Sequence, residues 1–242
     1  MNISRLPGRK RFIFVSPHLD DAILSAGALI HNLSKSKKVE IITIFTEASK
    51  KSTAATGEFV KACHHKESGR LFNDRRAEDA KLCRYLKIKY IHLGFTDALW
   101  RDDYRSMKKV FADKMGSSIK EHNLEKSIAK KLIKAIGKEN DAVIFAPLSI
   151  GNHIDHRIVN KICRDNFTNL IYWEDFPYSL KSSHQEELVK KNSLSCFEFD
   201  KDLHVKDGLI RFYSSQIPVL FPDNVIAVKK EKYYFNNLPH RE

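Results

Sequence analysis

The stretch R-F-I-F-V-S-P-H-L-D-D-A-I-L-S-A-G-A-L-I, residues 11–30, decides the fold class. Its first part, Arg11–Ser16, is a short apolar run rich in β-forming residues, which is the pattern of a buried strand. Asp20 and Asp21 then begin a predicted helix over about 22–34, because acidic side chains stabilise the free N–H groups of a helix N-terminus. A buried strand that leads directly into a helix is the first half of a βαβ unit.

Strands and helices alternate along most of the remaining chain. Further buried strands are predicted at 39–46, 90–95, 141–148 and 169–173. Helices are predicted at 74–86 (with Asp74 near the N-cap), 106–116, 123–137 and 153–165. The polar segment 47–73 is expected to be a long loop that includes at most a helical piece. After residue 173 the pattern weakens to helices at 184–193 and 203–215 and extended segments at 195–200 and 224–235.

This alternation predicts the α/β fold class. Five strands separated by helices favour a Rossmann-like, doubly wound, mostly parallel sheet with helices on both faces and C-terminal additions. The sequence contains no internal repeat, low-complexity segment or linker, so residues 1–242 are expected to form a single domain.

Length and cysteine content narrow the class of protein. No apolar run approaches the ~20 residues that a membrane-spanning helix needs. The basic N-terminus is followed by a strand-length apolar run with no small-residue cleavage site, so we expect no signal peptide. Cys63, Cys83, Cys163 and Cys196 form no C-x-x-C pair, which predicts reduced thiols and a cytoplasmic location rather than a disulfide framework.

The chain is basic, with a formal net charge of +12. A charge of this size is compatible with nucleic acid, anionic lipid or an acidic substrate as a partner. The lysines are spread along the chain and many fall beside apolar positions on predicted helices, as at 126–138. No basic motif interleaved with aromatic residues appears. We therefore interpret the charge as a lysine-rich solvated surface and expect no nucleic-acid partner.

Two polar segments follow predicted strands directly: S-P-H-L-D-D at 16–21 and G-N-H-I-D-H at 151–156. In open α/β sheets, ligands bind outside the carboxyl ends of the strands, so this fold would bring both segments to one edge. Histidine and carboxylate side chains are ligands of catalytic metals, which keep three protein ligands and one open position. His18 and Asp21 can face one point at the helix start, and His156 can complete the set. Such ligands accept Zn²⁺ or Fe²⁺.

The same segments supply acid–base groups. Asp20 is not needed as a ligand and is the natural general base for the attacking water. A protonated His153 can stabilise an oxyanion or protonate a leaving amine, and Asp155 can raise the pKa of His153 and fix its orientation. A single histidine–aspartate pair at a helix start is usually a cap beside a surface histidine. Two such segments, each after a parallel strand, instead favour a metal site.

Both segments resemble the paired signatures of the LmbE-like, or PIG-L, deacetylase family. That family's first motif runs Ala/Ser-x-His-Pro-Asp-Asp-Glu, and its second is His-x-Asp-His after a glycine. Three other segments resemble family patterns in family order: Arg75-Arg76-x-Glu78, Leu93-Gly94-Phe95-x-Asp97 and Tyr213-x-Ser215-Gln216. Leu19 and Ala22 depart from the pattern, because the family usually has proline and glutamate there. The segment 172–178 resembles a Tyr-Glu-Asp-x-Pro-Tyr motif of a bacterial subgroup and is either a pocket wall or structural packing.

The resemblance implies Zn²⁺ as the metal and hydrolysis of an N-acetyl group from an amino sugar or sugar conjugate as the reaction. It gives Asp20 and His153 the roles of base and electrophilic helper. It also implies that Arg76 and Asp97 contact sugar hydroxyls, whereas a helix-surface ion pair and a turn cap are the structural alternatives for these two residues. Two other functions stay open: hydrolysis of another amide or ester, and non-catalytic binding on the same fold.

Overall fold

The computed structural model of the protein describes residues 11–104, 106–112, 119–138, 141–180, 189–190 and 193–236. These residues form one seven-stranded sheet with the strand order β3-β2-β1-β4-β5-β7-β6. In chain order the strands are β1 (Arg11–Ser16), β2 (Lys38–Glu47), β3 (Lys89–Thr96), β4 (Ala142–Pro147), β5 (Leu170–Trp173), β6 (Ser195–Phe199) and β7 (Glu231–Phe235).

Helices cover both faces of this sheet. They are α1 (Asp21–Ser34), α2 (Ala54–Ala62), α3 (Ser68–Tyr85), α4 (Met107–Val110), α5 (Ile119–Ile136), α6 (Ile154–Asn166), α7 (Leu203–Ile210) and α8 (Ile217–Leu220). The side chains of β1 alternate between two apolar clusters, as the period of two in a strand requires. Phe12 and Phe14 pack with α1 on one face, and Ile13 and Val15 pack with α5 and α6 on the other.

Strands β1 to β5 are parallel, and the direction of winding changes between β1 and β4. The chain first proceeds outward through β2 and β3 and then returns to place β4 and β5 on the other side of β1. The carboxyl ends of β1 and β4 therefore form the topological switch point, which is the usual ligand crevice of this architecture. The two polar segments, 16–21 and 151–156, follow these two strands. The predicted α/β fold is therefore confirmed, and both segments lie at one edge of the sheet as expected.

The C-terminal residues are part of the sheet and support α1. Strand β7 runs antiparallel between β5 and β6. Its first residue, Glu231, accepts hydrogen bonds from Ala28 N (2.8 Å) and Leu29 N (3.0 Å). These N–H groups follow Ala26, whose φ of −129° interrupts α1. Lys206 Nζ lies 2.8 Å from the buried Glu231 carboxylate and balances its charge. Glu231 thus satisfies backbone donors that the break in α1 leaves without helical acceptors.

The segment 47–73 contains more helix than the predicted long loop with a helical piece, because both α2 and the first turns of α3 lie within it. Thr53 caps α2 by accepting a hydrogen bond from Thr56 N, and the Thr56 side chain accepts from Thr53 N in return. Helix α3 begins at Ser68, after the N-cap residue Glu67, and not near Asp74. The polar composition of the segment reflects a helix of which only a narrow stripe is buried, and such a stripe gives weak periodicity.

Smaller differences concern element ends. Of the predicted helix at 106–116, only Met107–Val110 is helical, and 113–118 lie outside the described residues. Most of the predicted helix at 184–193 also lies outside them. The predicted helix at 203–215 ends at Ile210, and the extended segment at 224–235 is a strand only over Glu231–Phe235. Within the described ranges, no helix combines the length and apolar character needed to cross a membrane.

Candidate metal centre

Side-chain hydrogen bonds close the turn between β1 and α1. Ser16 Oγ donates to His18 O (2.6 Å) and accepts from Ala22 N (3.0 Å). Asp21 Oδ2 accepts from His18 N (2.8 Å). All four residues are buried, and Asp21 lies in the first turn of α1, where the free N–H groups favour a negative charge. This closed turn brings the imidazole of His18 and the carboxylate of Asp21 side by side.

The three predicted metal ligands meet at the switch point. Asp21 Oδ2 lies 3.0 Å from His18 Nδ1 and 3.2 Å from His156 Nε2. The candidate ligand atoms of the three residues all lie within 4.8 Å of one another. His156 comes from the first turn of α6, 138 residues after His18 in the sequence, so only the packing of β1 against β4 brings them together. The arrangement is a set of two histidines and one carboxylate of the kind that binds Zn²⁺ or Fe²⁺.

A second carboxylate contacts the outer nitrogen of each imidazole. His18 Nε2 lies 3.0 Å from Asp155 Oδ2, and His156 Nδ1 lies 2.7 Å from Asp175 Oδ1. These contacts place the ring N–H on the outer side and leave the lone pairs of His18 Nδ1 and His156 Nε2 directed toward Asp21. Asp175 Oδ2 also accepts from Ile150 N (2.9 Å), which fixes its orientation. Carboxylates that orient ligand histidines in this way are typical of metal sites.

The electrostatics of the cluster suit a cation. Five buried carboxylates surround it, those of Asp20, Asp21, Asp97, Asp155 and Asp175. Burial alone lowers the pKa of a histidine, but Asp21 and Asp175 outweigh it and raise the pKa of His156 to about 9. Burial alone raises the pKa of Asp21, but His156 and His18 hold it well below its ordinary value. His156 Nε2 is buried, and the Asp21 carboxylate lies 3.2 Å from it. A divalent metal fits this donor set because it would satisfy that nitrogen and offset the negative charge.

Asp20 lies beside the three ligands and is paired with an arginine. Its carboxylate makes no capping bond to α1, and its Oδ1 lies 3.3 Å from Arg75 Nη2. Both side chains are buried. Burial raises the pKa of Asp20, and the Arg75 guanidinium partly offsets that rise. Asp20 is therefore available to accept a proton, as the sequence predicts for a general base.

The position of Arg75 corrects the expectation for Arg76. Arg76 Nη1 donates to Thr46 O (2.7 Å) and pairs with Glu47 Oε1 (2.8 Å), so its side chain follows the end of β2 and does not line the pocket. Arg75 lines the pocket in its place. Successive helical residues point about 100° apart, so only one arginine of the pair can face the site. The sequence does contain the signal, since the buried stripe of α3 runs through Leu71, Phe72, Arg75, Asp79, Leu82 and Cys83.

Asp155 acts on His153 as the sequence predicts in direction, but its carboxylate is directed at other partners. The Asp155 carboxylate contacts His18 and Arg101 Nη1 (2.7 Å), whereas His153 Nδ1 accepts from the backbone N–H of Asp155 (3.2 Å). Burial and the positive charge of His18 lower the pKa of His153 well below its ordinary value, although Asp155 opposes this shift. Both effects favour the neutral imidazole over the expected cation. Because its Nδ1 accepts a hydrogen bond, its Nε2 carries the proton and is a donor.

Asp97 is the turn cap that was the structural alternative, and it also faces the pocket. Its Oδ1 accepts from Leu99 N (3.0 Å) and caps the short 3₁₀ turn Ala98–Trp100. Its Oδ2 lies 3.5 Å from His18 Nε2, and the residue lines the pocket. Burial raises the pKa of Asp97, while the charge on His18 lowers it in part. The carboxylate is therefore a turn cap that also faces the site.

The pocket over the metal centre is small and largely apolar. It encloses about 80 Å³ and is walled by Phe59, Trp100, Val110, Phe111, Tyr178 and Leu220, among others. Tyr178 and Asp175 come from the segment 172–178, so one part of that segment forms a wall and another part holds a ligand histidine. The contact of Asp175 with His156 was not predicted from the sequence. The position of an acidic residue just after β5, at the same edge of the sheet, could have indicated it.

Comparison with known proteins gives a curated relative among the deacetylases. The 2'-N-acetylparomamine deacetylase of Streptomyces fradiae is 26% identical over 178 residues, which are 71% of this chain and 58% of that protein. The match therefore spans less than two thirds of the relative's length.

Solved structures share the fold. A deacetylase from the biosynthesis pathway of teicoplanin has a TM-score of 0.75 at 21% identity and covers 93% of this chain and 97% of its own. The A40926 pseudoaglycone deacetylase has a TM-score of 0.74 at 23% identity, with 93% and 96% covered. The zinc-inhibited form of a teicoplanin deacetylase has a TM-score of 0.73 at 20% identity, with 93% and 97% covered.

A family model described as PIG-L, GlcNAc-PI de-N-acetylase, matches residues 13–167. That range contains His18, Asp20, Asp21, His153 and His156 and makes up more than half of the chain. The chain belongs to the PIG-L family.

Proposed function

We propose that this protein is a metal-dependent hydrolase that removes an N-acetyl group from an amino sugar or sugar conjugate. The observation that carries the proposal is that His18, Asp21 and His156 meet beside a pocket that His18, Asp20 and Asp21 line. Family membership supports a deacetylase, as does the relative named 2'-N-acetylparomamine deacetylase. The structural neighbours named as teicoplanin and A40926 pseudoaglycone deacetylases support a sugar conjugate as the substrate class.

We propose Zn²⁺ as the metal, held by His18, Asp21 and His156. The donor chemistry accepts Fe²⁺ as well, and one structural neighbour is described as a zinc-inhibited form. When bound, the metal supplies Lewis acidity, which lowers the pKa of a water molecule and polarises the amide carbonyl.

The residues of the chain handle the proton and the developing charge. Asp20 takes a proton from the attacking water, and Arg75 keeps the Asp20 side chain oriented and ionised. His153 Nε2–H donates to the carbonyl oxygen as negative charge develops on it. Asp20 then returns its proton to the leaving nitrogen, which gives acetate and a free amine. Asp155 and Asp175 hold the two ligand histidines in place throughout.

The test compares Asp20→Asn with His156→Ala in one set of preparations. Acetate release from N-acetylglucosamine and its conjugates measures turnover, and elemental analysis measures metal content. We expect Asp20→Asn to keep the metal and to lower kcat by about 10²–10⁴-fold, the usual contribution of a general base. We expect His156→Ala to lose both metal and turnover. Near-normal turnover in Asp20→Asn would contradict the role of base, and a folded wild type that binds no supplied metal would contradict the whole proposal.

A further inference from the structure

A second cavity opens beside the metal centre at the carboxyl ends of β2 and β3. We call it the side cleft. It encloses about 630 Å³ and is walled by residues 49–51 after β2, 94–96 at the end of β3, 100–104, and Glu121 and Leu124 of α5. The metal pocket lies along the same edge of the sheet, over β1 and β4. The two cavities are therefore neighbours on the face where this architecture binds its ligands.

Two consecutive residues join the side cleft to the metal pocket. Trp100 lines both cavities. Arg101 lines the side cleft, and its Nη1 lies 2.7 Å from Asp155 Oδ1, while the other oxygen of Asp155 contacts His18. Arg101 Nη1 also donates to Thr96 O (3.0 Å), which fixes the guanidinium between the cleft wall and the metal site. A ligand that spans both cavities would lie against a continuous wall.

The volumes of the two cavities differ in a way that bears on substrate size. Sites that enclose a whole small molecule usually measure about 300–1,000 Å³. The metal pocket, at about 80 Å³, holds only the reacting acetamide end of a substrate. The side cleft, at about 630 Å³, falls within the usual range. The remainder of a sugar conjugate thus has an adjoining cavity of suitable size.

The lining of the side cleft favours a neutral, polyhydroxylated group. Its aromatic side chains are Phe95, Trp100 and Tyr104. Among the lining residues that the structure describes, three side chains are cations and three are anions: Lys50, Lys51, Arg101, Asp102, Asp103 and Glu121. Because the charges of these described residues balance, they give no net attraction to a phosphate or to a free amine. A sugar ring matches a mixed lining of this kind, since its C–H face suits an apolar wall and its hydroxyls suit polar groups.

We propose that the side cleft binds a neutral sugar unit that is linked to the N-acetylated residue in the metal pocket. The preferred substrate would then contain at least two linked units and would not be a simple N-acetyl monosaccharide. This inference rests on the proposed function and adds to it the place and chemical class of the second unit.

The test narrows the side cleft and compares two substrates. Leu124→Trp projects a large ring from α5 into the cleft, and Ile133→Trp is the matched control, because Ile133 is on the opposite, exposed side of the same helix. Lys50→Trp narrows the cleft from the β2 side at an exposed position, in case Leu124→Trp fails to fold. The substrates are N,N'-diacetylchitobiose and N-acetylglucosamine, with N-acetylglucosamine 1-phosphate as the anionic comparison.

We expect the cleft variants to raise KM for the disaccharide about tenfold, with kcat little changed, because lost ground-state binding raises KM alone. KM for N-acetylglucosamine should stay within about twofold, and the Ile133→Trp control should resemble the wild type for both substrates. Equal effects of Leu124→Trp on both substrates, or equal KM values for the two in the wild type, would overturn the inference. A preference for the phosphorylated sugar that Leu124→Trp abolishes would overturn the assignment of a neutral unit.

A binding measurement separates this inference from the proposed function. Calorimetric titration of Asp20→Asn with the disaccharide and the monosaccharide reports affinity without turnover. If the wild type releases no acetate from any substrate, tighter binding of the disaccharide that Leu124→Trp weakens would still support the side cleft. If the wild type turns over both sugars but Asp20→Asn binds them equally, the proposed function stands and the cleft assignment fails.

Discussion

Two buried carboxylates, those of Asp155 and Asp175, contact the imidazoles that we propose as metal ligands. Asp175 accepts from two N–H groups, His156 Nδ1 and Ile150 N. Asp155 receives His18 Nε2 on one oxygen, while Arg101 approaches the other. An ionised carboxylate can accept on both oxygens at once. These residues are therefore positioning residues, and their effect should appear in metal affinity before it appears in the reaction.

We expect Asp175→Asn to lower metal affinity about 10–100-fold, the usual cost of losing such a partner. The amide has one acceptor oxygen, so either His156 or Ile150 would face an N–H₂ group. Competition with a chelating dye measures the affinity directly. Glu174→Gln is the control, since this neighbour contacts Tyr234 and not the metal centre. Equal affinities in Asp175→Asn and the wild type would contradict the positioning role.

The adjacent arginines of α3 give a second, internally controlled prediction. Arg75→Met removes the cation that faces Asp20 in a buried setting, so kcat/KM should fall about 10–100-fold as the base loses its orientation and charge. Arg76→Met removes contacts with Thr46 and Glu47 at the surface and should change kcat/KM less than about threefold. Acetate release under identical metal loading measures both. A larger effect at Arg76 than at Arg75 would reverse the assignment.

The chemistry of single residues was partly predictable from the sequence. Spacing and position after strands were sufficient to predict that His18, Asp21 and His156 lie together. The reason is that open α/β sheets bring the segments after β1 and β4 to one switch point. The protonation of His153 was not predictable, since it depends on burial and on His18, which lies far away in the sequence. The choice between Arg75 and Arg76 required the helical phase of α3, which the motif alone does not contain.

At the scale of elements, hydrogen bonds to α3 hold residues 213–215 beside the metal pocket. Glu78 accepts from Ser214 Oγ (2.7 Å), Ser215 N (2.8 Å) and Ser215 Oγ (2.7 Å). The next residue, Asp79, accepts from Tyr213 OH (2.8 Å). Gln216 follows these contacts directly and lines the metal pocket. The adjacent carboxylates of Glu78 and Asp79 therefore position Gln216 in the pocket wall. These contacts give a physical reason for two motifs that are weak separately, Arg75-Arg76-x-Glu78 and Tyr213-x-Ser215-Gln216.

We expect Glu78→Gln to lower the free energy of unfolding by about 1–3 kcal/mol, because one amide oxygen cannot accept from all three donors. KM should also rise, since Gln216 would lose its fixed position. Urea titration measures the first effect, and steady-state kinetics measures the second. The control is Asp74→Asn, which removes a carboxylate from the exposed side of the same helix. A KM unchanged in Glu78→Gln, despite a loss of stability, would limit Glu78 to a structural role.

Elements differed in how well the sequence predicted them. Strands β1 to β5 and the long helices α5 and α6 were predictable, because burial on both faces or along one stripe gives a clear apolar period. Helix α2 was not, since only Thr56 and Val60 of its residues are buried. The place of β7 between β5 and β6 depends on pairing between distant segments, for which the sequence carries no local signal.

At the scale of the molecule, a basic chain concentrates five buried carboxylates at one edge of its sheet. The net charge is +12, yet the metal centre gathers Asp20, Asp21, Asp97, Asp155 and Asp175 around two histidines. Surface charge and site charge thus have opposite signs. Mutual repulsion of the buried carboxylates opposes folding, and a bound cation relieves it. Metal occupancy should consequently contribute to the stability of the whole domain.

We expect a chelator to lower Tm by about 5–10 °C, since a metal at 100 times its Kd contributes about 2.7 kcal/mol to a domain of this size. Differential scanning calorimetry with and without added Zn²⁺ measures the shift. The His156→Ala variant should melt at one temperature whatever the metal supply. If neither the chelator nor added Zn²⁺ changes the Tm of the wild type, the site does not hold a metal in solution.

The place of β7 has a consequence for synthesis on the ribosome. Of the described strands, β7 is translated last, yet it lies between β5 and β6, which leave the exit tunnel earlier. Until Phe235 emerges, the nascent chain exposes open strand edges, which readily pair with other chains. Glu231 belongs to β7 and is translated equally late. The backbone N–H groups of Ala28 and Leu29 in α1, the helix that carries Asp21, therefore have no Glu231 acceptor until then. The conformation of the candidate metal centre is thus completed only after β7 has been translated, and until then other chains can pair with the exposed strand edges.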